Sequence, residues 1–159
     1  MASRGGEAFK RLGPGGAISL VAAILLFAFT FFQWYGRPHS GPNTLLIDLW
    51  PYGGGTAWQT LGIVPLLVVL AAAVVGVAIS ALRLTGSGRR SGLPLGALVG
   101  LLGLLAAAVI AAAINWPPEV DPIERIPIEQ SIEAGPYLAL AAALAIACGG
   151  WLTWRAEGT

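Results

Sequence analysis

An all-α integral membrane four-helix bundle with cytoplasmic N- and C-termini is the fold class this sequence predicts, on three observations. Four long apolar stretches contain no Asp, Glu, Lys, Arg or His. Only 11% of the 159 residues are charged, against 56% hydrophobic, with a mean hydropathy of +0.75. A soluble domain carries roughly 25% charged residues. Lys and Arg also fall on alternate sides of the apolar stretches, as they do in a chain that crosses a bilayer repeatedly.

The stretches run over residues 17–35, 58–82, 93–115 and 136–154. About 20 residues at ~1.5 Å rise cross a hydrocarbon core of ~30 Å, so each reads as a transmembrane helix. Between and around them lie a tail (1–16), an outer loop (36–57), a basic loop (83–92), an acidic outer loop (116–135) and a short tail (155–159). These segments use up the length, leaving no room for a soluble domain of ordinary size.

Residues 1–16 are Gly-rich and polar and predict a disordered or surface-lying tail. The first apolar stretch ends in Phe31-Phe32-Gln33-Trp34-Tyr35 rather than in small residues, so it reads as an uncleaved anchor, not a signal peptide. Pro38 forbids continuation of its helix. The apolar piece 43–50 is too short to span and predicts an interfacial turn, ended by Pro51 and the break Gly53-Gly54-Gly55. Pro65 stands near the start of the second stretch, where a missing N–H costs little. The tight basic loop after it makes the second and third stretches an antiparallel hairpin. Five prolines punctuate the acidic loop region, which predicts extended chain with at most a helical turn near residues 128–132.

Seven of the nine basic residues (Arg4, Lys10, Arg11, Arg83, Arg89, Arg90, Arg155) fall on one side, and Arg37 and Arg125 on the other. Short loops rich in Lys and Arg stay cytoplasmic, which puts both termini inside. The aromatics agree. Trp34, Tyr35, Trp58 and Trp116, with Trp50 and Tyr52, cluster at the outer boundary, and Trp151 and Trp154 at the inner one. They read as interface anchors, ring in the apolar layer and N–H or O–H toward water.

Small residues recur every fourth position in three stretches: Gly92, Gly96 and Gly100; Ala72, Gly76 and Ser80; Ala141, Ala145 and Gly149. Such rows let a neighbouring backbone approach closely, and in lipid that contact drives helix association. They predict packing within one copy, with a homo-oligomer seam as the alternative.

The sequence offers little chemistry. His39 is the one histidine and lies off the spans, so it cannot anchor a zinc site or pair as an intramembrane haem ligand. Cys148, the one cysteine, stands among Ala and Gly and reads as a small buried residue. The carboxylates at 119, 121, 124, 129 and 133 lack EF-hand spacing and read as a solvated acidic surface. Asp48 sits near the boundary, facing water or paired with Arg37. A net charge of +1 gives no basic face for nucleic acid. No cofactor, metal set or catalytic constellation assembles from these residues.

Residues 31–36 (Phe-Phe-Gln-Trp-Tyr-Gly), Trp58-Gln59-Thr60 and the ending over residues 145–155 give the chain a layout that resembles small uncharacterised four-transmembrane-helix membrane proteins of high-GC, actinobacterial type, over nearly its whole length. The resemblance implies a multi-pass protein of the cell (inner) membrane and carries no activity with it. The sequence therefore predicts a non-enzymatic, structural or accessory membrane protein whose partners are lipid and either another membrane protein or a second copy. The alternative is an oligomeric channel or small-solute transporter.

Overall fold

The computed structural model describes residues 3–36, 55–85, 94–117 and 131–157. The chain is mostly helical, and its elements in order are α1 (Ser3–Phe29), β1 (Gln33–Tyr35), β2 (Gly55–Thr56), α2 (Ala57–Thr60), α3 (Ile63–Leu84), α4 (Leu95–Asn115) and α5 (Ala134–Glu157). Four helices are long and apolar enough to cross a membrane: Leu12–Phe29 within α1, then α3, α4 and α5. An α-helix satisfies its backbone N–H and C=O groups internally, so segments this apolar can be placed in lipid without orphaned polar groups.

The last helix, α5, packs against both α1 and α4, and α3 packs against the same two. The buried side chains between them are mostly Ala, Val, Leu and Ile, among them Ala23, Leu26, Val69, Ala106, Ile110, Ala143 and Ile146. Large apolar side chains such as Ile63, Val64, Leu67, Leu101 and Leu104 point outward instead. That is the distribution of a protein whose surroundings are as apolar as its interior.

Helix α1 differs from the expected tail-then-span. It is already helical from Ser3 and bends at Gly13, which takes φ 68° and ψ 167°. Positive φ suits glycine, which has no Cβ to clash. Pro14 then opens the second half of α1 in the position where its missing N–H and fixed φ cost nothing. Leu12, Gly15 and Gly16 are buried, so the chain just before residue 17 belongs to the packed structure. Pro65 and Pro136 fall in the first turns of α3 and α5, where an N–H has no intrahelical partner.

The first span also stops earlier than residue 35. After Phe29 the helix tightens, with Thr30, Phe31 and Phe32 N–H groups donating to the carbonyls three residues back. Residues 33–35 are then extended. Strand β1 pairs antiparallel with β2, Gln33 opposite Thr56 and Tyr35 opposite Gly55. On its other edge Tyr35 bridges Ile132, and Gly36 N donates to Ser131 O (2.7 Å) while Glu133 N donates to Trp34 O (3.0 Å). An apolar run alone does not distinguish helix from strand. Here two partners, one on each edge, decide it. The same pairing makes residues 131–133 extended, where the end of a helical turn was expected; the rest of that turn lies outside the described residues. Trp58 belongs to α2, so the second span starts at Ile63 rather than at residue 58.

Candidate functional site

Three places in the fold concentrate specific contacts: the helix seams, a small cavity at the end of the helices near Arg83, and the aromatic cap at the opposite end.

The seams are built from small residues. A methyl placed on Gly103 of α4 would lie 2.6 Å from the Ala147 amide nitrogen and 3.0 Å from the Ala143 carbonyl oxygen of α5. On Gly96 it would meet the Trp154 nitrogen at 2.5 Å and the Gly150 carbonyl at 2.9 Å. Gly15 of α1 meets Thr153 Oγ1 at 2.6 Å and the Gly149 carbonyl at 2.7 Å in the same sense. Gly76 of α3 would place its methyl 3.0 Å from Ala23 Cβ of α1. These seams lie inside one chain.

The expected rows are partly corrected. Ala72, Gly76 and Ser80 are all buried, and so are Gly96 and Gly149. Gly100 is half-buried, with Gly103 taking over the contact with α5. Ala141 is exposed and Ala145 half-buried, so the row 141, 145, 149 is not a contact face. Four residues turn about 400°, so a strict i, i+4 row drifts about 40° per step. Helix α5 instead uses two adjacent faces: Gly149 and Thr153 toward α1, and Ala143, Ala147 and Gly150 toward α4. Gly92 lies outside the described residues.

At the end where α1 and α4 begin, Gly16 and Ser19 of α1, Ile79, Ser80 and Arg83 of α3, Val99 of α4 and Thr153 of α5 line a small cavity. Ser80 Oγ donates to Gly76 O (2.8 Å), and Thr153 Oγ1 donates to Gly149 O (2.7 Å). Ser19 is 3% exposed, and its Oγ has no hydrogen-bond partner among the described residues. Arg83 forms an ion pair with Glu157, tying the end of α3 to the end of α5.

At the opposite end the aromatics cap α1. The Trp34 indole donates to Phe29 O (3.0 Å), and the Thr30 hydroxyl donates to Phe27 O (2.7 Å). These two add a second donor to carbonyls that already accept from the Thr30 and Phe32 N–H groups. Trp58 Nε1 donates to Thr30 Oγ1 (3.1 Å), and Ala57 N donates to Thr30 O (3.2 Å), bringing in the start of the second hairpin arm. Tyr35 OH donates to Ala113 O (2.8 Å), near the end of α4. Burial pushes the Tyr35 phenol above its ordinary pKa, because the phenolate would lose its hydration.

The interface-anchor assignment is therefore corrected for two residues. Trp34 and Tyr35 are buried under the cap, at 0% and 2% exposure, and bond to backbone rather than to water. The reason is β1 itself: alternate pairing on both edges folds these rings onto the helix ends. Trp58, Trp116, Trp151 and Trp154 are on the surface, with Trp116 78% exposed. Trp151 and Trp154 stack edge to face, centroids 4.8 Å apart. Cys148 was expected to be buried and is exposed. The small residues around it mark the seams to either side, not its own face. His39, Asp48 and the acidic loop through Glu129 lie outside the described residues. Glu133 is described and exposed, accepting from Ser131 Oγ (3.3 Å). Among the described residues, no group of three or more His, Cys, Asp or Glu side chains lies together.

The cap and the cavity are what the sequence reading missed. The Gln33-Trp34-Tyr35 run carries the aromatic preference of a strand. Ser19, Ser80 and Thr153 were visible as rare polar residues in apolar stretches, but only the fold brings them to one cavity. Compared with family models, curated proteins and solved structures, the chain matches none.

Proposed function

We propose that this chain is a multi-pass protein of the cell membrane whose four apolar helices span the bilayer as one antiparallel bundle, both termini cytoplasmic. In this reading it acts without catalysis, as an accessory membrane protein that meets a partner at its outer end. One observation carries the reading: the small-residue faces are occupied by each other within the chain. Gly103 against Ala147, Gly96 against Gly150 and Gly15 against Thr153 leave large apolar side chains facing outward. Among the described residues the glycines at these contacts are used up within the chain, and the large apolar side chains of the mid-bundle surface suit acyl chains. The outer end is different. There β1 pairs with β2 on one edge and with residue 132 on the other, Trp58 bonds to Thr30, and Tyr35 bonds to Ala113 near the end of α4, so backbone from both outer loops meets at one end; Trp116 is exposed just beyond α4.

The orientation rests on the basic residues. Arg83 and Arg155 sit at the end that would be cytoplasmic, opposite the aromatic cap. Among the described residues, the cavity lined by all four helices is only water-sized, which favours this reading over a channel or carrier within one copy.

The test is native mass spectrometry of the protein extracted gently from its own membrane, alongside a Trp116→Ala variant and a Leu101→Ala variant. A co-purifying protein of fixed stoichiometry, weakened by the Trp116 change and not by the Leu101 change, supports the reading. A closed homo-oligomer that conducts ions when reconstituted replaces it with the channel alternative. A bare monomer removes the accessory role.

A further inference from the structure

We propose that residues 3–12 of α1 form a membrane-surface helix that binds the anionic phosphate headgroups of the cytoplasmic leaflet through Arg4, Lys10 and Arg11. This rests on the bilayer-spanning reading above, with the N-terminus inside. The first observation is the break in α1. The segment is helical from Ser3, yet Gly13 takes φ 68° and ψ 167°, and the membrane-length apolar window begins only at Leu12. A methyl on Gly13 would meet nothing within 4 Å, so the backbone angle rather than crowding calls for glycine there. Pro14 beside it lacks the N–H that would carry the helix through unbroken. Residues 3–12 are thus a separate helical piece joined to the span at its surface end.

The second observation is the order of residues in that piece. At about 100° per residue, Ser3, Arg4, Glu7, Lys10 and Arg11 fall in one arc of about 120°. Gly5, Ala8, Phe9 and Leu12 fall in another, of about 100°, on the other side. A helix divided in this way lies in the plane of the interface, its apolar arc at the acyl boundary and its basic arc among headgroups. Leu12 ends the apolar arc and is buried against Gly16, so that arc joins the buried side of the fold. The third observation is charge. Three basic residues against Glu7 leave +2 on the segment. At this end of the bundle the other acidic side chain among the described residues is Glu157, and it is paired with Arg83. The described protein surface therefore offers the basic arc no carboxylate, whereas an anionic leaflet offers phosphates. Attachment at Gly13 keeps that leaflet within reach, so a modest attraction per charge suffices.

The experiment uses the full-length protein in a Cys148→Ala background, reconstituted in nanodiscs of zwitterionic lipid with or without anionic phosphatidylglycerol. A neutral fluorophore is placed at Gly5→Cys in the apolar arc, at Glu7→Cys in the polar arc, or at Leu101→Cys on the outward face of α4, and an aqueous quencher is added. In anionic discs the label at residue 5 should be shielded and the label at residue 7 open. Lys10→Gln with Arg11→Gln should lower the ratio of docked to open segment by roughly 25-fold, about fivefold for each charge removed. Salt at about 1 M, or purely zwitterionic lipid, should open the residue-5 label in the same sense. Labels at residues 5 and 7 that are equally open in anionic discs overturn the proposal. Shielding at residue 5 that survives charge removal and salt also overturns it, since the segment would then dock on protein. An open label at Leu101→Cys overturns instead the bilayer-spanning reading on which it rests.

Discussion

Gly103 and Ala147 meet backbone to backbone: a single methyl added to Gly103 would come within 2.6 Å of the Ala147 amide nitrogen. Helices α4 and α5 lie this close because neither presents a side chain at the contact. Such proximity is how helices hold together where the surrounding lipid is as apolar as they are. It also makes the contact intolerant of volume. Gly103→Leu is expected to cost at least ~1–3 kcal/mol of stability through overpacking. Ala141→Leu, on the exposed face of the neighbouring helix, is expected to cost nothing measurable. Unfolding both variants in mixed micelles checks the contrast; equal losses would mean that the seam is not where the fold places it.

Trp34 and Trp116 look alike in the sequence and differ in the fold. Trp34 is fully buried and caps Phe29 O, whereas Trp116 is 78% exposed. Trp34→Ala is expected to destabilise by ~3–5 kcal/mol, from lost burial and the cavity left behind. Trp116→Ala should stay within about 0.5 kcal/mol. The same unfolding assay compares them.

Tyr35 gives the cap an alkaline limit. Its folded pKa is raised above the unfolded value of about 10 by burial. The sign follows directly: the unfolded chain releases the proton first as pH rises. The Tyr35 contribution is fully present below pH ~10 and is lost as pH climbs through the folded value. Ultraviolet titration of the phenols should show a delayed component that disappears in Tyr35→Phe. A titration unchanged by that substitution would contradict the buried position.

The four long apolar helices were legible because their signal is compositional: an uncharged window of the right length needs no knowledge of contacts. Ala72, Gly76 and Ser80, spaced every fourth residue, are all buried in the fold. What failed was the detail set by neighbours. Ala141 and Ala145 drifted off the seam because α5 serves two helices with two faces. Trp34 and Tyr35 were read as lipid anchors because nothing local shows that Gly55–Thr56 and residues 131–133 will flank them. Ser19, Ser80 and Thr153 are far apart in the chain, and only the folded helices bring them to the lining of one cavity.

The proposed function requires that these helices pack against each other within one copy. Ala23 and Gly76 test it most directly, since a Cβ on Gly76 would lie 3.0 Å from Ala23 Cβ, close enough for a disulfide with a small adjustment. Ala23→Cys and Gly76→Cys, combined in a Cys148→Ala background, should form a bond within the chain on mild oxidation. The product should run at monomer mass and become resistant to separation of α1 from α3 after cleavage of the connecting loop. Bonds that form only between copies, giving a dimer band, would contradict the internal packing and the function proposed from it.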